Sequence, residues 1–78
     1  MKLNWNKLAA NILKSELKLR GLNYDQLQKS LSALGINETT NGIKIKVNRG
    51  TFQFAFFLQC AAAIGIKNLR LDELISKE

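Results

Sequence analysis

Four apolar segments of this chain are each followed by a glycine, and this pattern constrains the fold more than any other feature. In residues 4–20, apolar side chains recur at three- and four-residue steps, the spacing of one face of an α-helix. Gly21 then provides a helix stop. The apolar stripe consists of Trp5, Leu8, Ala9, Ile12, Leu13 and Leu17. Three lysines, Lys7, Lys14 and Lys18, fall largely away from it, on a side that we expect to be solvated.

A second helix is predicted from Tyr24 to Leu34. Asn23 is a favourable N-cap, and Asp25 lies in the first turn, where the helix dipole stabilises an acid. Gly35 ends the segment, so the sequence predicts two successive helices that are each closed by glycine. The apolar stripe of this helix is formed by Leu27, Leu31 and Leu34.

The segment from residue 37 to residue 54 fits two structures. Alternation of Ile43, Ile45 and Val47 with lysines favours a β-hairpin over residues 42–54, with a turn at 48–50. The alternative is a short helix from about Thr40 to Asn48, capped by Thr39 or Thr40. It would turn Ile43 and Val47 inward and end at Gly50. Local propensity favours the hairpin.

Residues 53–64 are apolar nearly all round, which is typical of a helix at the centre of a small domain. Cys60 lies within this segment, so we expect a buried and unreactive thiol. Gly65 closes the helix. A last short helix is predicted around Asp72 and Glu73, and it would present Leu71, Leu74 and Ile75 to the core or to a partner chain.

Composition indicates one globular domain over residues 1–78 and argues against an enzyme. The apolar fraction of 46% is sufficient for a folded core, and a single cysteine excludes an internal disulfide. Histidine is absent, the six acids are scattered, and no phosphate-binding glycine loop or metal-ligand spacing occurs. We therefore expect no catalysis, no cofactor and no small-molecule substrate. The N-terminal segment lacks a signal-peptide core or membrane span, so we expect a cytoplasmic protein without a membrane partner.

The charge distribution indicates a polyanionic partner. The formal net charge is +6, and no acid occurs between Glu38 and Asp72. That stretch carries five basic residues, Lys44, Lys46, Arg49, Lys67 and Arg70. Nucleic acid is the partner that this pattern favours.

The order of these segments resembles the lambda-repressor/Cro-like helix-turn-helix family. A capped helix precedes the presumed recognition helix, which ends in Asn48-Arg49-Gly50 and is followed by an apolar helix. The resemblance implies a compact all-α fold of five helices that binds duplex DNA as a transcriptional regulator. Leu27 to Gly50 is several residues longer than the usual repressor spacing, so we expect an extended second helix or turn.

The chain is also similar to a group of uncharacterised small bacterial domains over most of residues 8–71, which supports the fold more than any activity. The matching pieces are Leu13-Lys14-Ser15-Glu16-Leu17-Lys18, Gly21-Leu22-Asn23-Tyr24, Leu34-Gly35-Ile36, Arg49-Gly50-Thr51-Phe52, Phe57-Leu58-Gln59-Cys60 and Ala63-Ile64-Gly65.

The helical interpretation of residues 40–48 defines a candidate DNA-binding surface. Its outward face consists of Asn41, Lys44, Ile45 and Asn48. Asparagine can pair with adenine, lysine can reach guanine or phosphate, and Ile45 can contact a thymine methyl group. The predicted phosphate contacts are Thr39, Thr40, Lys44, Lys46 and Arg49.

If the protein binds DNA, we expect a homodimer. Two other functions remain open. The first is a protein-interaction module, such as an antitoxin-like or phage-derived adaptor. It would use exposed aromatic side chains at Trp5, Phe52, Phe54 and Phe56. The second is a small RNA-binding protein whose hairpin stacks bases on Phe52 and Phe54. A helix over residues 43–54 supports DNA binding, whereas a hairpin with exposed aromatics supports RNA binding.

Overall fold

The computed structural model describes residues 4–69, and this part of the chain folds into four α-helices without a β-strand. They are α1 (Trp5–Leu19), α2 (Tyr24–Ala33), α3 (Thr40–Arg49) and α4 (Phe54–Ile64). The all-α prediction is confirmed, and the alternative hairpin over residues 42–54 is wrong. The predicted fifth helix around Asp72 lies outside the described residues. No helix within residues 4–69 has both the length and the apolar character needed to cross a membrane.

Side-chain caps fix the starts of the first two helices. The Asn4 side chain accepts a hydrogen bond from the Lys7 amide (3.0 Å) at the start of α1. At the start of α2, Asn23 and Gln26 form a reciprocal capping box with two bonds of 2.8 Å. The predicted cap at Asn23 is confirmed, and both predicted helices end within one residue of the observed bounds.

Burial makes residues 40–49 helical in spite of their β-forming composition. The Thr39 side chain accepts from the Gly42 amide (2.9 Å), and Gly50 ends α3 in the left-handed conformation with φ 68°. Ile43 and Val47, one helical turn apart, are fully buried. Burying each side chain contributes about 1.5–3 kcal/mol, which outweighs the ~1 kcal/mol penalty of a glycine within the helix.

The core lies where α3 packs on α1 and α2, and α4 packs on α2. Residues 34–39 connect α2 and α3. The buried core side chains are Leu13, Leu17, Leu27, Leu31, Ile43, Val47, Phe56 and Cys60.

The predicted central position of α4 is wrong. Only Phe56 and Cys60 of this helix are buried, whereas Phe54 is 72% exposed and Leu58 is 51% exposed. An all-apolar composition cannot indicate which face packs, and within residues 4–69 one face of α4 is covered mainly by α2. Phe56, which we expected to be exposed in a protein-interaction module, belongs to the core.

Two long-range contacts hold the ends of the helices together. Arg20 at the end of α1 donates from Nε to the Ile64 carbonyl oxygen (3.0 Å) at the end of α4, and it forms an ion pair with Glu16. At the other end of α1, Gly50 lies directly against the backbone of Asn6. A Cβ atom on Gly50 would stand 1.8 Å from the Asn6 carbonyl oxygen, so only glycine fits without displacing α1 or α3.

Candidate nucleic-acid interface

The outward face of α3 carries the side chains predicted to contact bases. Asn41, Ile45 and Asn48 follow one another at four- and three-residue steps, and all three are exposed, as is Lys44. Ile45 is 43% exposed although its neighbours Ile43 and Val47 are completely buried. The burial pattern therefore has the period of a helix, and it separates an apolar inner face from a mainly polar outer one.

The predicted phosphate contacts lie at the two ends of α3. Thr39 is exposed and caps the helix; its hydroxyl accepts from Gly42, which leaves the hydroxyl hydrogen able to donate elsewhere. Thr40 is half-buried at the first helical position. Arg49 is exposed in the last turn, where a positive charge also interacts favourably with the helix dipole.

Lys46 differs from the other basic residues of α3, because its ammonium group already has partners. Its Nζ atom lies 2.6 Å from Oε2 of Glu38 and 4.9 Å from the centre of the Phe56 ring. The Glu38 carbonyl oxygen in turn accepts from the Gln28 side chain (3.3 Å), which ties this pair to α2. The structure thus separates Lys46 from Lys44 and Arg49, which have no ion-pair partner among the described residues. The sequence gives no signal for this pairing, since Glu38 precedes α3 and Lys46 lies eight positions further along the chain.

Ion pairing leaves the described surface strongly basic. Of the three acids within residues 4–69, Glu16 pairs with Arg20 and Glu38 pairs with Lys46, and Asp25 lies in the first turn of α2. Seven basic side chains of this part of the chain take part in no ion pair there. They are Lys7, Lys14, Lys18, Lys29, Lys44, Arg49 and Lys67.

A polar groove of about 500 Å³ runs between residues 4–14, which form the start and the middle of α1, and the C-terminal end of α3. Three basic side chains, Lys7, Lys14 and Arg49, line it together with four asparagines. The sequence placed Lys7 and Lys14 on the solvated side of α1, and their exposure agrees with this prediction. It gave no indication that they share a groove with Arg49, because that depends on how α1 and α3 cross.

A second groove, of about 250 Å³, is mainly apolar and lies between α1 and α4. Its lining residues are Ala9, Ile12, Phe52, Phe54, Phe57 and Leu69. Of the aromatic side chains predicted to bind a protein partner, Trp5 (62%) and Phe54 are the exposed ones. Phe52 is half-buried and packs on Phe56 with ring centres 5.7 Å apart, so these two rings stabilise the core rather than form an open stacking platform.

Cys60 is completely buried, as predicted. Burial, together with the smaller effect of Glu38, raises the pKa of its thiol to about 12, and Lys46 acts in the opposite direction. The thiol is therefore neutral at physiological pH and enclosed by the core. Within residues 4–69, no three His, Cys, Asp or Glu side chains lie close enough to hold a metal ion together.

Comparison with known proteins places the chain in a family. No curated protein and no solved structure matches the chain. A family model described as a domain of unknown function (DUF6471) matches residues 5–69, which include the four helices and, except for Asn4, the described residues that line the two grooves. This agrees with the expected similarity to uncharacterised small domains, and it does not link the chain to the lambda-repressor/Cro-like family. Because the match spans most of its length, the chain belongs to the DUF6471 family.

Proposed function

We propose that this protein binds duplex DNA through the outward face of α3 and acts as a transcriptional regulator. The observation that carries the proposal is the composition of that face. This face exposes four side chains, Asn41, Lys44, Ile45 and Asn48, and the opposite face of α3 packs on α1 and α2. No acid occurs on α3, and Glu38 just before it is paired.

The dimensions and chemistry of α3 suit the major groove. Ten residues give a helix about 15 Å long, and B-DNA has a major groove about 12 Å wide that admits one α-helix. Asparagine amides can form two hydrogen bonds with adenine, and Lys44 can reach guanine or a phosphate. This arrangement also gives a reason for the exposure of Ile45, since an apolar side chain can contact the methyl group of thymine.

The arrangement of α2 and α3 supports a helix-turn-helix of the kind that the sequence resembles. Residues 34–39 form the turn, and Thr39, Thr40 and Arg49 flank the reading face as phosphate contacts. Lys46 has a different part in this proposal. Its ammonium group pairs with Glu38 and lies over the Phe56 ring, so we expect it to contribute less to phosphate binding than Lys44 or Arg49.

Fluorescence anisotropy at a series of salt concentrations tests this proposal. The probes are a duplex selected by the protein from a random-sequence pool and an unrelated duplex. Each phosphate that is neutralised contributes about −0.9 to the slope of log affinity against log salt, so replacing Lys44 and Arg49 with alanine should flatten the slope by about two units. Asn41→Ala should instead weaken preference for the selected duplex by about 1–3 kcal/mol with little change of slope.

A charge-matched control is available in the Lys29→Ala/Lys67→Ala variant. Both side chains are exposed, and neither lies on α3 or in the polar groove. The DNA proposal fails if two results occur together. The affinity for both duplexes is no higher than that of any protein with a net charge of +6, and the Lys44→Ala/Arg49→Ala variant has the same salt slope as this control. Single-stranded RNA that binds more tightly than either duplex would also contradict it.

The exposed aromatic side chains favour a second candidate, a protein-interaction module. Phe54 projects beside the apolar groove between α1 and α4, and Trp5 is exposed at the start of α1. This candidate predicts that Phe54→Ser abolishes partner binding and leaves DNA affinity unchanged. It takes the place of the DNA proposal if the salt titration gives the negative result described above.

A further inference from the structure

The polar groove between α1 and α3 combines basic charge with amide groups, and none of the described residues that line it is acidic. Of the eight residues within 4–69 that line it, seven are polar or basic: Asn4, Asn6, Lys7, Asn11, Lys14, Asn48 and Arg49. Lysine and arginine neutralise phosphates, and asparagine side chains can donate hydrogen bonds to phosphate oxygens. This combination fits a polyanion better than a metal ion, because no carboxylate is found among the described residues that line the groove.

The spacing of the two lysines matches a polymer of phosphates rather than a single anion. Lys7, Asn11 and Lys14 follow one another at four- and three-residue steps and share one face of α1. Seven residues of helix rise about 10.5 Å. This is well above the axial rise of ~3.4 Å between successive phosphates of one strand, so the two lysines can engage different phosphates.

The groove is continuous with the outward face of α3. Asn48 belongs to both, and Arg49 lines the groove one residue further along. Gly50 makes this continuity possible, because its missing side chain lets the end of α3 approach the Asn6 backbone. Asn4, which caps α1 and also lines the groove, fixes the position of the Lys7 amide.

We propose that Lys7 and Lys14, with Arg49, form a binding site for the phosphate backbone of one DNA strand. This site deepens the proposed function and rests on it: α3 reads the bases, and the α1 groove holds the adjacent strand irrespective of sequence. Lys7 and Lys14 have no ion-pair partner among the described residues, so their charge is free to act on a ligand.

The test uses the full chain and the Lys7→Gln/Lys14→Gln variant, which removes two charges and keeps most of the side-chain length. Anisotropy titrations over a salt series are carried out with the selected duplex and the unrelated duplex. Loss of two phosphate contacts should flatten the slope of log affinity against log salt by about 1.8, equally for both duplexes. Lys29→Gln/Lys67→Gln is the charge-matched control and should change the slope much less.

A second variant, Lys7→Arg/Lys14→Arg, separates charge from side-chain shape, and it should retain the slope of the unaltered protein. Circular dichroism establishes that each variant is folded. If the Gln variant equals the control while Lys44→Ala/Arg49→Ala still flattens the slope, the groove proposal is wrong and the α3 proposal stands. If the unaltered protein does not bind either duplex, both fail. A flattened slope in the Arg variant would also overturn the groove proposal, because charge would then not be the cause.

Discussion

Replacing Gly50 with alanine is the most direct test of how α3 is placed against α1. Gly50 has φ 68°, a conformation that costs an L-residue about 1–2 kcal/mol. In addition, the new Cβ atom would stand 1.8 Å from the Asn6 carbonyl oxygen and 2.6 Å from its carbon. Cβ atoms essentially never approach another heavy atom within 3.0 Å. To lengthen the 1.8 Å contact to that limit, the two helices would have to separate by about 1.2 Å.

Gly35 provides the matched control because its backbone is equally left-handed, with φ 81°, and the space around it is open. Gly35→Ala should therefore destabilise the domain by the conformational term alone, about 1–2 kcal/mol. Gly50→Ala adds an overpacking term of about 1–3 kcal/mol, which gives a total of about 2–5 kcal/mol. A domain of this size has about 4–12 kcal/mol of stability in all, so the second variant would lose a large part of it.

Urea unfolding followed by circular dichroism measures this difference. The gap between the two variants should be about 1–3 kcal/mol, and the melting temperature of Gly50→Ala should lie about 4–24 °C below that of Gly35→Ala. Gly65→Ala is a second open-space control and should behave like Gly35→Ala. Equal stability of the Gly50 and Gly35 variants would refute the close approach of α3 to α1, and with it the way in which the polar groove is built.

Three further predictions concern the thiol, the paired lysine and association. Cys60 should react slowly with thiol reagents until urea unfolds the protein; since folding raises its pKa from 9.0 to about 12, stability should also fall as the pH rises above about 9, and Cys60→Ala should lack that decline. Rapid labelling of the native protein would contradict this. Lys46→Ala should flatten the DNA salt slope less than Lys44→Ala does, because Glu38 already pairs with Lys46; an equal effect would show that the pair opens on binding. We also expect a homodimer at micromolar concentration, and Phe54→Ser should shift sedimentation towards the monomer; a clean monomer of the unaltered protein, with and without DNA, would rule it out.

The first two helices could be predicted from the sequence because the signals for them are local. Asparagine caps, apolar residues at helical spacing and a closing glycine all lie within a few residues of one another. The segment of α3 was ambiguous because Ile43, Ile45 and Val47 together have a period of two, whereas Ile43 and Val47 alone have the four-residue spacing of a helix. Only the packing decides between them: Ile43 and Val47 are buried by α1 and α2, and Ile45 is left exposed.

The candidate site could be predicted on α3 but not across the helices. Once residues 40–49 are helical, the spacing of Asn41, Lys44, Ile45 and Asn48 determines which side chains share the outer face. Three contacts could not be predicted because each joins two residues that do not belong to the same helix. They are the Glu38–Lys46 ion pair, the Arg20–Ile64 hydrogen bond and the approach of Gly50 to Asn6.

The helix proposed to read DNA is also the one whose own sequence least favours a helix, and this couples stability to function. Ten residues with an internal glycine and three β-branched apolar side chains are marginal as an isolated helix, so α3 depends on contacts with α1 and α2. Loosening those contacts should therefore disorder the outward face before it unfolds the remaining helices. Val47→Ala, which changes no exposed residue, should weaken DNA binding at temperatures where most of the helical signal persists. Parallel loss of binding and of total helical content would contradict this coupling and indicate that the four helices unfold as one unit.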